Sequence, residues 1–339
     1  MIRFSKVEIL YIIAAFLFGL TIMLAALQFM FAPPRSTHTI TANKPKNLWQ
    51  IESIDTMKYS RDMAKQDLTD GSYALGANRQ MARIAQTGAN YVAIDTPYDA
   101  EFLPVMKIWV QAARANGLHV WFRGNFSGWE GWFNYAPITE QEHTAMTKQF
   151  ILNNSSLFQD TDIFTSCPEC ENGIHLNIGD QQAVAAYRSF LINEYNTDNE
   201  AFATIGKKVN NGFYSMNADA AKAIMDKATT QELGGIVVID HYVKTPEELL
   251  SGVVSIAAES GGKVVLGEFG APIPDLQGNM TEAQQKDWLD QSLQLLSTEN
   301  DLLGVNYWVN EGGSTALWNQ DGSPRSAVSV ITKYYHNNF

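Results

Sequence analysis

Three glutamates stand in contexts that point to chemistry. Glu169 and Glu171 lie in TSCPECENG (165–173), and Glu268 lies in VVLGEFGAP (264–272). A lone acid between Leu266 and Phe269 with flanking glycines fits no solvated strand surface. Two carboxyl groups brought to one place can divide the work of acid/base and nucleophile if their surroundings keep one protonated and the other ionised. Glu169 is the first choice for the acid, with Glu171 as the alternative, because residues two apart on an extended segment share a face. The stretch TSCPECENG also holds the chain's only two cysteines, Cys167 and Cys170. A reactive CxxC dithiol places its first cysteine at a helix N-terminus, whereas Cys167 ends a strand-like run and the following ENG opens a helix poorly. Zinc needs four ligands; the two cysteines and His175 leave the set one short, and there is no second CxxC. No metal and no cofactor are expected. In an oxidising compartment the pair forms a disulfide across the short loop, and otherwise two free thiols.

Eight β-branched or aromatic runs are needed to carry these residues, and eight are found, at 49–55, 90–97, 119–125, 162–169, 211–217, 235–242, 263–270 and 302–310. Helix-like stretches alternate with them at 78–86, 101–116, 139–153, 181–195, 218–227, 246–259, 281–297 and 326–335. Thr139 with Glu142 and Thr245 with Glu248 read as capping boxes, and Gly117 and Gly261 as helix ends. Strictly alternating strands and helices imply parallel pairing. Eight such pairs fit an α/β fold of the (β/α)8 barrel type, which needs about 250 residues. A doubly wound open sheet is the runner-up, but no glycine-rich phosphate turn follows the first strand. A barrel places function at the C-terminal ends of its strands. Those ends carry Asp55, Asp95, Arg123 and Asn125 with Trp129 and Trp132 beyond, then Glu169, His241 and Tyr242, Glu268, and Trp308. Carboxylates with flat aromatic faces are what a sugar site requires.

VVLGEFGAP resembles the strand-seven motif of glycoside hydrolase family 5 and its clan A relatives. The resemblance spans the chain from residue 48 in order of elements, although only GEFG is close in letters. It implies a (β/α)8 barrel with Glu268 as nucleophile, Glu169 as acid/base, Trp308 beneath the sugar and His241 or Tyr242 hydrogen-bonding beside the nucleophile. The expected reaction is retaining hydrolysis of a β-linked oligo- or polysaccharide. One of Arg61, Arg79 and Arg123 would keep Glu268 ionised, and Arg123, Asn125, Trp129 and Trp132 are candidate substrate contacts. Pro168 stands where the family keeps an asparagine before its acid. That departure supports the alternative of a glycan-binding or scaffold barrel without hydrolysis.

Outside the barrel span 48–339, the run 9–32 is apolar and uncharged, long enough at ~1.5 Å per residue to span a ~30 Å hydrocarbon layer. It is read as a transmembrane anchor between a short tail (1–8) and a Pro/Ser/Thr-rich linker (33–47), with the barrel expected on the extracytoplasmic side. Five of the 24 Lys/Arg and one of the 36 Asp/Glu fall within residues 1–46, which leaves 19 basic and 35 acidic residues beyond them. A body of formal charge −16 repels nucleic acid and other polyanions and suits a neutral substrate. The sequence gives no oligomeric state.

Overall fold

A computed structural model of the protein describes residues 48–337. The expected tail, membrane helix and linker lie outside the described residues. Among those described, no helix is long and apolar enough to cross a membrane.

Eight strands form one parallel sheet: β1 Ile51–Asp55, β2 Tyr91–Ile94, β3 His119–Phe122, β4 Ile163–Phe164, β5 Ser215–Asn217, β6 Ile236–Asp240, β7 Lys263–Phe269 and β8 Leu302–Tyr307. Their order, β4-β3-β2-β1-β8-β7-β6-β5, is that of a barrel opened only at β4 and β5. That gap is bridged by Ile163 and Asn210. Phe164 N–H donates to Asn210 O at 2.9 Å and Asn210 N–H donates to Asp162 O at 2.7 Å. Higher up, Thr165 Oγ1 donates to Phe213 O at 2.6 Å and Glu169 N–H to Ser215 O at 2.7 Å. The expected strand 162–169 is therefore regular for only two residues. Pro168 lacks a donor for a ladder, and the chain leaves the sheet to form the loop that carries Glu169.

One principal helix follows each strand: α1 Tyr73–Gln86, α2 Leu103–Ala115, α3 Glu140–Asn153, α4 Gln181–Thr204, α5 Ala218–Ile224, α6 Pro246–Ser260, α7 Glu282–Leu296 and α8 Ala327–Tyr335. The capping boxes at Thr139 and Thr245 are formed, and Gly261 ends α6 in the left-handed conformation. Helix α4 runs nine residues past its expected end. Its inward positions around that end include Glu194 and Asp198, so a polar buried face conceals the helical period that sequence reading relies on. Apolar residues form two layers. Ile51, Tyr91, Trp121, Phe213, Val238 and Val265 fill the lumen, and the larger cluster seals the sheet against the helices. Trp109, Trp121 and Trp288 are buried, as expected for core.

Candidate active site

The two-residue period of a strand places a polar layer directly above the apolar lumen. Asp55, Asp95, Arg123, Ser215 and Asp240 all reach into it from β1, β2, β3, β5 and β6. Regular alternation from Val265 would point Glu268 out of the barrel. The β6/β7 and β7/β8 pairings shift register here, Glu268 comes opposite Asp240, and Gly267 is the inserted residue. A Cβ at Gly267 would lie 2.5 Å from Asp240 Oδ1 and 2.7 Å from Val238 Cγ1, so only glycine fits the inserted position.

Arg123 is the hub of this layer. Its Nη1 donates to Asp55 Oδ2 and Glu268 Oε1, both at 2.9 Å, and its Nη2 to Ser215 Oγ at 3.0 Å and Asp240 Oδ2 at 3.0 Å. Asp95 lies 3.8 Å away. Of the three arginines considered from sequence, Arg123 therefore holds Glu268, whereas Arg61 pairs with Asp62 and Arg79 lines a separate pocket. Burial opposes the guanidinium charge, but Asp240, Glu268, Asp55 and Asp95 together hold it firmly protonated. One cation cannot balance four carboxylates in a space closed to water. Burial pushes Asp55, Asp95 and Asp240 up from the ordinary carboxylate range, and neighbouring carboxylates add to it. Both Asp95 oxygens lack a hydrogen-bond partner. Glu268 is further fixed by Tyr242, whose hydroxyl donates to Oε2 at 2.7 Å. Tyr242 meets Trp308 edge to face at 6.0 Å between ring centres, and the buried Trp308 Nε1–H has no partner. Lys58 lies over the Trp308 ring and Arg61 over Trp132.

Across the mouth, Glu169 sits half-buried with a left-handed backbone (φ 45°). Burial raises its carboxyl to about 7, with Glu268 and then Glu171 adding to the effect. Asn172 Nδ2 donates to its Oε2 at 3.3 Å. The segment is not extended, so alternation does not bring Glu171 beside Glu169. Glu171 Oε1 instead accepts the Asn217 backbone N–H at 2.9 Å at the end of β5. Cys167 and Cys170 form a disulfide that brackets Pro168 and Glu169. Closing so short a loop contributes about 2 kcal/mol in the chain-entropy picture, so a Cys167→Ser/Cys170→Ser double variant should melt roughly 4–8 °C lower by calorimetry. Dithiothreitol should lower the wild-type protein by a similar amount and leave the variant unchanged.

Several expected contacts are corrected. Asn125 does not face substrate: it is buried, and all four hydrogen-bonding positions of its amide are used. Its Nδ2 donates to Glu130 Oε1 (2.5 Å) and Cys167 Sγ (3.2 Å), and its Oδ1 accepts from Phe126 N–H (2.7 Å) and faces His143 Nε2 (2.9 Å). Arg123, also fully enclosed, acts on the carboxylates instead of on substrate. His241 points out of the barrel, away from Asp240 and Tyr242, so that a Cβ on Gly252 of α6 would lie 2.1 Å from its Nε2. Trp129 is buried, stacks on Phe190, and donates its Nε1–H to Cys170 O at 3.1 Å. Trp132 is half-exposed.

Sequence reading passed over Glu130, although NFSGWEGWFNY sets it between the two tryptophans it singled out. Burial raises its carboxyl to about 7; Asn125 opposes this, while Glu169 and Glu171 reinforce it. Behind Asn125, the His143 ring lies 2.9 Å from Glu194 Oε1 in the core. Nothing in the local letters of α3 and α4 signals that pair, because it forms only when the two helices pack.

No protein-family model and no curated protein matches the chain. Solved structures do match. A GH5_18 protein from Bifidobacterium longum subsp. longum, in complex with Manβ1-4GlcNAc, is 15% identical with a TM-score of 0.65, covering 85% of this chain and 78% of that one. The β-glycosidase BGL167 is 12% identical with a TM-score of 0.55, covering 87% and 97%. The likeness is one of fold. A β-glucuronidase from Ruminococcus gnavus in complex with D-glucuronic acid is 14% identical with a TM-score of 0.53, covering 76% of this chain and 45% of that one, so this chain spans less than half of its length. At such identities the matches establish a (β/α)8 barrel similar to those of glycosidases, and the side-chain geometry must carry the chemistry.

Proposed function

We propose that the protein is a retaining β-glycosidase that cleaves a neutral β-linked glycan, held to a membrane by residues 9–32 with the barrel on the extracytoplasmic side. The reading rests chiefly on one observation: two mouth carboxyls lie in opposite surroundings. Glu268 accepts hydrogen bonds from Arg123 and Tyr242, which hold its carboxyl in place at the mouth. Glu169 is raised to about 7, where a carboxylic acid keeps its proton near neutrality. Glu268 attacks the anomeric carbon as the leaving oxygen takes the Glu169 proton. Glu169 then removes a proton from water, which displaces Glu268 from the sugar. Trp308 and Trp132 offer ring faces to pyranose units. The likeness to a structure holding Manβ1-4GlcNAc supports a β-linked chain, and the acidic body supports a neutral one.

Aryl β-glycosides of glucose, mannose and N-acetylglucosamine test this reading. With a poor leaving group, kcat/KM should fall about tenfold per pH unit above about 7 as Glu169 loses its proton. Glu169→Gln should abolish that limb and cost roughly 10²–10⁴-fold, but far less with a dinitrophenyl leaving group that needs no acid. An unchanged limb in the variant would move the acid role to Glu130 or Glu171. No turnover of any substrate would favour the non-catalytic barrel to which Pro168 points.

A further inference from the structure

A second pocket opens beside the mouth, on the other side of the turn Met57–Ser60. Lys58 of that turn covers Trp308, whereas Tyr59 lines the pocket. The cavity, about 330 Å³, runs between α1, α2 and the segment after β8. One of its polar groups is buried without a partner, and an acid lines the same space. Trp109 is 1% exposed and its indole Nε1–H meets no acceptor. Asp67 is 8% exposed and lines the same cavity. A buried donor left open represents a desolvation cost that a ligand or water must offset.

The chemistry of the lining narrows the ligand. Asp67, Asp70, Glu311 and Asp321 outnumber Arg79 and Arg83, and Arg83 is already paired with Glu311 at 2.6 Å, so an anion is disfavoured. Trp109 can only donate, which gives a metal ion or an ammonium group nothing. A hydroxyl satisfies both groups, accepting from Trp109 Nε1–H and donating to Asp67. Tyr59 and Tyr73 add the apolar rings and hydroxyls that suit a pyranose, and the volume lies at the lower end of the range for small-molecule sites. Gly322 takes a left-handed conformation (φ 81°) that brings the chain against the Arg83 guanidinium.

We infer that this pocket is a separate binding site for one neutral sugar unit, either a free monosaccharide or a residue of a chain that also crosses the mouth. Methyl glucoside, methyl mannoside and methyl N-acetylglucosaminide are the probes, measured on the full chain by saturation-transfer NMR and titration. At least one should bind, and Asp67→Asn and Trp109→Phe should each weaken it about tenfold, the effect of losing one buried hydrogen bond. Melting temperatures near that of the wild type would show that the variants are folded. Trp308→Ala, which removes a ring face of the mouth, should bind the probe as tightly as the wild type, which separates this pocket from the mouth. Repeating the titration with the matching hexasaccharide on Glu268→Gln distinguishes the sources. A further loss with Asp67→Asn marks a residue of the same chain, and no further loss marks a free sugar. Unchanged binding in Asp67→Asn and Trp109→Phe, loss of binding in Trp308→Ala, or binding of calcium with no sugar would overturn the inference while leaving the proposed hydrolysis intact.

Discussion

A Glu268→Gln variant is expected to lose about four to five orders of magnitude in kcat/KM on the best aryl glycoside, the scale seen when a covalent nucleophile is removed. The amide keeps the shape and can still accept from Arg123, but it cannot form the glycosyl ester. The loss should therefore fall on kcat, with KM little changed. Stability provides an internal control. Removing one of the carboxylates that crowd a single guanidinium reduces repulsion, so the melting temperature at pH 7.5 should hold or rise. A variant that loses activity by unfolding would show the opposite.

The second large effect belongs to Arg123. Truncating one partner of a buried charge network typically costs about 3–5 kcal/mol, because the charges left behind have no counter-ion. Arg123→Met leaves Asp55, Asp95, Asp240 and Glu268 together in the barrel without it. At about 2–4 °C per kcal/mol for a domain of this size, melting at pH 7.5 should drop by roughly 10 °C. The sign with pH follows from proton binding. Without the guanidinium the native acids hold protons well above their unfolded pKa, so between the two values the native state binds more protons and stability falls as pH rises. The deficit should therefore be smaller at pH 5 than at pH 8. A pH-independent deficit would mean that Arg123 contributes packing alone. Activity should be lost in either case, because Glu268 loses the group that holds it.

Strand count, helix order and two capping boxes were legible because each depends on local letters: β-branched runs, Thr-x-x-Glu, a terminal glycine. Local letters also brought out Glu268, whose flanking glycines mark the inserted Gly267. Other features depend on contacts between distant segments. Asn125 reads as a substrate residue at a strand end until Glu130 from its own loop and His143 and Cys167 from two other segments take up its amide. Alternation set Asp240 and Tyr242 opposite His241, but only the bulge in β7 turns Glu268 to meet them. Trp129 and Trp132 are three residues apart in one loop, yet one packs on Phe190 and the other reaches the mouth beneath Arg61. Glu169 and Glu171 are hard to separate in the sequence because an extended segment sets both on one face. The left-handed turn at Glu169 gives the first to the mouth and the second to the Asn217 backbone.

In the proposed reaction Glu268 becomes covalently bonded to the sugar. Incubating the full chain with 2-deoxy-2-fluoro-β-glycosyl fluorides of glucose and mannose, followed by peptide mass spectrometry, tests it directly. A single fluoroglycosyl adduct on the peptide containing Glu268, still formed when Glu169 is replaced by alanine because fluoride leaves with little acid assistance, and absent in Glu268→Gln, is the predicted result. An adduct on another carboxylate, or turnover that gives the inverted anomer without an adduct, would contradict it.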